Sequence, residues 1–204
     1  MPIPMTRALS LRSLLAAVAL VLAAQAALAD AGDAERGRKL AYTCMGCHGI
    51  EHYKNAYPKY SVPKLGGQSA AYIAAALAEY RAGGRWHPTM KGQAMSLSDQ
   101  DRADIGAWFA AFAKKPAFAP KGPLPDQAMG CTACHGQDGY GTVPENPTLA
   151  GQHADYLEQA LNDYRRGKRK NPVMNTFASQ LTPDDIRAIA AYFASQPGLK
   201  TPQL

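Results

Sequence analysis

Cys44-Met45-Gly46-Cys47-His48 recurs as Cys131-Thr132-Ala133-Cys134-His135, and these two pentapeptides contain all four cysteines of the chain. The pattern C-x-x-C-H is the attachment signature of a c-type haem. The two thiols bond to the vinyl groups of one porphyrin, and the histidine supplies an imidazole to the iron. The sequence therefore predicts two haem c groups, attached through Cys44 and Cys47 and through Cys131 and Cys134, with His48 and His135 as proximal ligands.

Three other uses of four cysteines were weighed against haem attachment. The C-x-x-C pairs of a zinc site usually lie about 15–20 residues apart, whereas these pairs are offset by 87 positions. A thioredoxin-like dithiol needs a βαβ unit, and no strand pattern precedes either motif. Two structural disulfides in an oxidising compartment stay open at this level.

The first 29 residues have the features of a secretory signal peptide. Arg7 and Arg12 form a basic region, residues 14–22 are apolar, and Ala27-Leu28-Ala29 is a cleavage site before Asp30. We therefore expect export to the periplasm, with cleavage after Ala29. Retention of the leader as an anchor, and with it a peripheral association with the membrane, stays open.

The positive charge of the chain is weak evidence for a nucleic-acid partner. The formal net charge is +6, and it falls to +4 when Arg7 and Arg12 leave with the leader. The propionates of two haems would bring the holoprotein close to neutral. We therefore expect no nucleic-acid partner.

The remainder of the chain is an internal duplication with an offset of 84 residues. The element Pro-x-Leu-x-Gly-Gln occupies residues 63–68 and 147–152, and Pro-x-Met occupies 88–90 and 172–174. Because the haem motifs are offset by 87, the first repeat has three additional residues between His48 and Pro63. A duplication of this kind sets the architecture before any local propensity does. We assign residues 1–29 to the signal peptide, 30–115 to a first domain, 116–125 to an extended, semi-rigid proline-rich linker and 126–204 to a second domain.

Both repeats are predicted to be all-α. Segments 69–82 and 153–166 have helical periodicity, and shorter helices are expected over 34–46 and 126–134. Capping boxes are predicted at the start of each last helix, which we expect to run to about Lys115 and Gln196. The boxes consist of Ser98 with Asp101 and of Thr182 with Asp185. No segment alternates in the manner of a strand.

The duplication also selects the distal iron ligands. Met90 and Met174 are the methionines that occupy equivalent positions, each expected on a polar loop before the last helix, whereas Met95 aligns with Ser179. Thioether ligation favours reduced iron and raises its potential. Ligands on both faces of the iron leave no position for a substrate, so the pattern favours electron transfer over catalysis.

The proximal histidines need an acceptor for their second ring nitrogen. Such an acceptor fixes the orientation of the imidazole, and the carbonyls of Pro63 and Pro147 occupy matching positions for this role. The alternative, that both prolines merely turn the chain, stays open. The other three histidines have no equivalent in the opposite repeat and are predicted to lie on the surface: His52, His87 and His153.

The motifs together resemble the dihaem cytochromes c of the c4 type, and the resemblance extends from about Asp30 to the C terminus. It implies two tandem cytochrome c-like domains, each wrapped around one covalently attached haem c. It also implies a periplasmic electron carrier between redox proteins, such as a quinol-oxidising complex and a terminal oxidase. The longer loop His52–Tyr60 departs from the symmetry of the repeats. This loop is either a docking surface or a tethered segment that shields a haem edge.

Two other functions were considered. The chain would also suit the cytochrome subunit of a periplasmic dehydrogenase, for example a flavoprotein that oxidises sulfur compounds. A dihaem peroxidase needs an open axial position, and matching methionines in both repeats argue against it. The basic stretch 165–170, Arg-Arg-Gly-Lys-Arg-Lys, is either a solvated helix end or a patch that steers an acidic partner.

Overall fold

Helices build both repeats. The computed structural model describes residues 32–112, 115–117 and 120–203, so the predicted leader lies outside the described residues. The first repeat contains α1 (Ala34–Leu40), α2 (Tyr42–His48), α3 (Ala70–Ala82), α4 (Pro88–Ala94) and α5 (Asp99–Ala110). The second repeat contains a 3₁₀ helix (Asp126–Cys131), α6 (Thr132–His135), α7 (Ala154–Arg165), α8 (Pro172–Ser179) and α9 (Pro183–Ser195). The all-α prediction is confirmed, since the described residues contain isolated bridges but no strand.

Three predicted helices differ from the structure. The segment 126–134 forms a 3₁₀ helix, Asp126–Cys131, followed by the short α6. The segment 34–46 forms two helices that meet at Ala41, which closes α1 and opens α2. Helix α5 ends at Ala110 and not near Lys115. A residue that precedes a proline avoids helical backbone angles, so Pro116 is consistent with an end before Lys115.

The last helix of each repeat forms the centre of its core. Helix α3 packs on α5, and α7 packs on α9. The equivalent residues Phe109 and Phe193 are almost completely buried, at 1% and 0% exposure. Both predicted capping boxes are present at the N termini of α5 and α9, and they satisfy backbone N–H groups that the helix itself leaves without partners.

Two glutamines join the repeats about an approximate twofold axis. Gln68 Nε2 donates to the Thr148 carbonyl at 2.9 Å, and Gln68 Oε1 accepts from the Thr148 N–H at 2.8 Å. Gln152 forms the same pair with Lys64, at 3.0 Å to the carbonyl and 2.9 Å from the N–H. Because Gln68 and Gln152 are equivalent, as are Lys64 and Thr148, each repeat grips the backbone of the other.

A short antiparallel ribbon repeats this symmetry. The Trp86 N–H donates to the Lys168 carbonyl at 3.3 Å, and the Lys170 N–H donates to the Gly84 carbonyl at 2.8 Å. The central residue of each segment, Arg85 or Arg169, turns inward, and their exposed fractions are 4% and 5%. Residues 84–86 and 168–170 therefore link the segments that lead into the two methionine-bearing helices.

The linker is bound along the second repeat. Its described residues, 116–117 and 120–125, are not helical. Gln196 brackets Lys121, accepting from its N–H at 2.7 Å and donating to its carbonyl at 2.9 Å. Lys115 pairs with Asp138 at 2.9 Å. These contacts support the extended, semi-rigid linker that its prolines predict.

Candidate haem sites

A cavity of about 460 Å³ lies in the first repeat and extends to the junction with the second. Cys44, Cys47, His48 and Met90 all line it. Sequence reasoning placed these residues around one haem, and the fold brings them to one cavity from two separate helices, α2 and α4. The remaining wall is largely apolar and includes Leu77 and Phe109.

The imidazole of each motif is held by a proline carbonyl. The Nδ1 atom of His48 lies 2.8 Å from the Pro63 oxygen, and that of His135 lies 3.2 Å from the Pro147 oxygen. Because a carbonyl can only accept, Nδ1 carries the proton and Nε2 is the nitrogen available to iron. Burial lowers the pKa of both histidines, although the carbonyl contact acts in the opposite direction. Both rings therefore stay neutral, as a metal ligand must.

The two methionines lie on short helices and not on loops, so that prediction was wrong. Helices α4 and α8 each begin with proline, whose fixed backbone angle suits the first helical position. The preceding residue caps the helix: His87 Nδ1 accepts from the Met90 N–H at 3.3 Å, and Asn171 Oδ1 accepts from the Met174 N–H at 3.0 Å. The rival Met95 closes α4 with 55% of its surface exposed.

His87 and His153 are half-buried, which corrects the prediction that they lie on the surface, whereas His52 is exposed as predicted. His87 belongs to the cavity lining. Its Nε2 atom contacts Asn55 Oδ1 at 3.3 Å. This residue therefore connects the cap of the methionine-bearing helix α4 to the long loop of the first repeat.

The long loop is tethered to the second repeat. The carboxylate of Asp155, on α7, accepts from Lys54 Nζ at 3.0 Å and from the N–H and hydroxyl of Ser61 at 3.0 and 2.9 Å. Tyr60 is buried and packs against Tyr156, with ring centroids 6.3 Å apart. Several residues of this loop line the cavity. These contacts favour the tethered, shielding interpretation of the loop.

Two buried arginines at the junction occupy equivalent positions, and each is surrounded by tyrosines. Arg85 Nη1 donates to the Tyr72 hydroxyl, and Arg169 Nη2 donates to the Tyr156 hydroxyl, both at 3.1 Å. Arg169 is therefore not part of a surface patch, which corrects the interpretation of residues 165–170 as a continuous exposed stretch. The exposed members are Arg165, Arg166, Lys168 and Lys170.

Two of the tyrosines near these arginines have a raised pKa and stay neutral. Burial raises the pKa of Tyr80 and of Tyr164 to about 12. The guanidinium of Arg85 lies 5.7 Å from the Tyr80 ring centroid, and that of Arg169 lies 5.7 Å from the Tyr164 ring centroid. Each arginine therefore keeps its charge and packs against aromatic faces. Arg85 also lines the cavity, so its positive charge lies at the cavity wall.

The state of the cysteines argues against the other uses of four thiols. All four are free, so no disulfide joins them. Burial raises the pKa of the Cys44 and Cys131 thiols, whereas a redox-active dithiol needs a lowered thiol pKa. Across residues 32–112, 115–117 and 120–203, no group of three or more histidine, cysteine or acidic side chains is placed to hold a metal ion.

The second repeat carries its candidate residues on the equivalent elements. Cys131 ends the 3₁₀ helix, Cys134 and His135 lie on α6, and Met174 lies on α8. His135 is buried, Met174 is half-buried, and Cys131 packs partly buried against the core. The proline contact and the capped methionine helix are therefore the same in both repeats.

The residues present fit a covalently bound haem. The first cavity has two thiols and an oriented, neutral imidazole on one side and a half-buried thioether on another. Its wall is mainly apolar, as a porphyrin face requires, and the buried cation Arg85 supplies a partner for acidic groups on its edge.

Comparison with known proteins identifies the family. The cytochrome c family model matches residues 34–111 and 127–197, one match for each repeat. The chain is 35% identical to cytochrome c4 of Pseudomonas aeruginosa over 179 residues, which covers 79% of this chain and 88% of that protein. The crystal structure of reduced recombinant cytochrome c4 from Pseudomonas stutzeri superposes with a TM-score of 0.65 at 33% identity, covering 83% of this chain and 100% of that one.

The chain belongs to the cytochrome c family and is a dihaem protein of the c4 type.

A third relative is an electron acceptor of a dehydrogenase. The thiosulfate dehydrogenase electron acceptor of Stutzerimonas stutzeri is 33% identical over 204 residues, covering 87% of this chain and 91% of that protein. As a c4-type cytochrome, the chain binds two haem c groups and is an electron-transfer protein rather than an enzyme. In the part of the chain that the structure describes, no helix has the length and apolar character of a membrane span.

Several residues that organise the sites were missed at the level of sequence. Arg85 and Arg169 have the same 84-residue offset as the other repeat markers, and that offset was a usable signal. The repeated Gln68 and Gln152 were seen, but their role as clamps between repeats was not. The tether at Asp155 had no signal, because its equivalent is Ala71.

Proposed function

We propose that this cytochrome is a periplasmic electron carrier that exchanges one electron per haem with other redox proteins. The single observation that carries the proposal is the first cavity, in which Cys44, Cys47, His48 and Met90 converge. The capped methionine helix and the histidine–proline contact recur in the second repeat. Export through the predicted leader, residues 1–29, would bring the chain to the compartment expected for a protein of this kind.

The cysteines, the two histidines and the two methionines have separate roles in this proposal. Cys44, Cys47, Cys131 and Cys134 hold the two porphyrins as thioethers. His48 and Met90 bind one iron, and His135 and Met174 bind the other. Haem iron supplies the reversible change between the ferrous and ferric states, and a methionine ligand favours the ferrous one.

The surrounding residues fix the orientation of the side chains that would bind the iron. Pro63 and Pro147 orient the imidazoles through their carbonyls, and His87 and Asn171 cap the helices that present the thioethers. Little rearrangement is then needed when the charge at a site changes. As iron ligands, the capped methionines would occupy the position that a peroxide needs, which argues against peroxidase activity.

The ligand assignment is tested by absorption spectra of the purified holoprotein during a redox titration. Wild type is expected to show the weak far-red band of methionine-ligated ferric haem, and Met90→Ala and Met174→Ala are each expected to remove part of it and lower one of the two potentials. Met95→Ala is the matched control and is expected to leave the far-red band and the two potentials unchanged. A band that persists in both ligand variants would show that the assignment is wrong.

A second candidate function is that of electron acceptor for a dehydrogenase that oxidises sulfur compounds. The similarity to the thiosulfate dehydrogenase electron acceptor, over 87% of this chain, favours this context. Such a role uses the same two haem sites, and the difference lies in the donor. A quinol-oxidising complex as donor and a terminal oxidase as acceptor remain the first proposal for the partners.

The donor is tested by mixing oxidised holoprotein with purified thiosulfate dehydrogenase and thiosulfate. Reduction of both haems at a rate that saturates with the cytochrome concentration supports the dehydrogenase context. Reduction no faster than with thiosulfate alone, together with rapid reduction by a quinol-oxidising complex, supports the respiratory context.

A further inference from the structure

The mouth of the first haem cavity is polar. Thr43, Thr89 and Gln93 line the cavity around Met90. The Thr43 hydroxyl donates to the Gln93 side-chain oxygen at 3.3 Å, so a hydrogen bond joins the haem-motif helix α2 to the methionine helix α4.

The equivalent mouth of the second repeat is apolar. Gly130 occupies the position of Thr43, Val173 that of Thr89 and Phe177 that of Gln93. A methyl group added at Gly130 would lie 3.4 Å from the Phe177 ring, so the ring rests over the glycine in place of the hydrogen bond. The exposed fractions of Val173 and Phe177 are 57% and 47%, and that of neighbouring Met129 is 61%.

The apolar side chains are not required by the fold. The first repeat forms the same methionine helix with a threonine and a glutamine at these positions. Val173 and Phe177 are four residues apart and therefore lie on one face of α8. A cluster of exposed apolar side chains that the fold does not need is characteristic of an interaction surface.

Positive charge lies next to this cluster. Lys170 is exposed and immediately precedes the capping residue of α8, three positions before Val173. The exposed Arg165 and Arg166 end α7, which lies against the face of α8 that carries Asn175 and not against Val173. Their neighbour Arg169 is buried and does not contribute. An apolar centre with a cation beside it fits a partner that has an apolar centre and an acidic edge.

The first mouth is less open to a partner. Loop residues Tyr53, Lys54 and Asn55 line its cavity, and Asp155 tethers that loop. We propose that the surface of Met129, Val173 and Phe177, with Lys170 beside it, is the docking site of an acidic redox protein. Electrons then enter or leave this cytochrome mainly through the haem of the second repeat. This inference rests on the electron-carrier function proposed above.

The test replaces two apolar residues of the second mouth with their equivalents from the first mouth. The double variant V173T/F177Q gives the second repeat the residues that the first repeat already tolerates. The probe is the soluble dicopper domain of a bacterial terminal oxidase, chosen for an acidic electron-accepting face. The second-order rate constant is measured by stopped flow from the reduced holoprotein at several ionic strengths. Each rate is normalised to the rate with the small cationic oxidant tris(phenanthroline)cobalt(III).

The double variant is expected to slow transfer to the probe by about tenfold, the effect of losing central apolar contacts at an interface. Lys170→Gln is expected to reduce the dependence of the rate on ionic strength. Tyr42→Ser is the matched control, because Tyr42 is the first-repeat equivalent of Met129 and is 71% exposed. It is expected to change the rate by less than about twofold.

Three results would overturn the docking proposal: an unchanged rate in V173T/F177Q, an equal loss in Tyr42→Ser, or wild-type transfer that does not depend on salt. A concentration-dependent dimer that V173T/F177Q abolishes in analytical ultracentrifugation also overturns it, since the occupant would then be a second copy. Failure of the cobalt complex to oxidise the wild-type haems would instead contradict the electron-carrier function.

Discussion

Replacement of Gln68 by alanine tests whether the glutamine clamps hold the two repeats together. Gln68 is 4% exposed, and its amide satisfies both the N–H and the carbonyl of Thr148, which is 7% exposed. A buried backbone group left without a partner costs about 1–3 kcal/mol, so Gln68→Ala is expected to lower the free energy of unfolding by about 2–4 kcal/mol. Water that enters the vacated space would bring the value to the lower end.

The symmetry-related variant Gln152→Ala should cost less, although its hydrogen bonds have the same geometry. Its backbone partner, Lys64, is half-buried, so solvent can replace the lost amide. We expect about 1–2 kcal/mol for this variant. The order of the two effects therefore follows from burial and not from the number of bonds.

The assay is urea unfolding of the holoprotein, followed by far-ultraviolet circular dichroism and haem absorbance. The slope m is expected to stay constant, so that the midpoint reports stability. Gln137→Ala is the matched control at an exposed glutamine, with an expected change within about 0.5 kcal/mol. A Gln68→Ala change no larger than that of the control would refute the reasoning, as would a larger loss in Gln152→Ala.

Two further predictions concern the loop tether and the buried arginine. Burial raises the pKa of Asp155, but hydrogen bonds from Lys54 and Ser61 outweigh it and hold that pKa below its ordinary 3.8. A lowered folded-state pKa stabilises above 3.8, and the effect is lost as pH falls through the folded value, so the tether should release in acid and hold at neutral pH. Hydrogen exchange over residues 53–61 measures this, and protection in Asp155→Asn at neutral pH equal to that of wild type would contradict it. Arg169→Ala is expected to cost about 3–5 kcal/mol in urea unfolding, because Arg169 Nε lies 3.9 Å from the carboxylate of Asp163 and its removal leaves that buried group without its cation. The exposed Lys168→Ala should stay within about 0.5 kcal/mol. Equal effects of the two would show that Arg169 is not the buried partner that its contacts indicate.

The features that can be predicted from the sequence are those that occur in both repeats. The haem motifs, the histidine–proline contacts and the capping boxes of the last helices each have a local pattern, and each occurs twice. Equivalence between repeats separated Met90 from Met95, and the structure places Met90 at the cavity and exposes Met95. The error about the methionine segments had a local cause, because proline was read as a loop residue when it also starts helices.

The unpredicted features depend on contacts between distant residues. Arg169 and Lys168 are neighbours in a basic stretch, and the ribbon with residues 84–86 turns one inward and leaves the other exposed. Residues 52–60 allowed two interpretations, and the carboxylate of Asp155, far away in sequence, favours the tethered one.

Composition and repetition alone therefore predict two haems, two similar helical repeats and the pairs of iron ligands that we propose. These follow because thioether attachment and helix formation need only short patterns of residues. The way the repeats grip one another, and the difference between a polar mouth closed by a loop and an open apolar one, appear only when the chain is folded. Both depend on which side chains meet across the junction, and the free energy of those contacts belongs to pairs of residues that no local pattern connects.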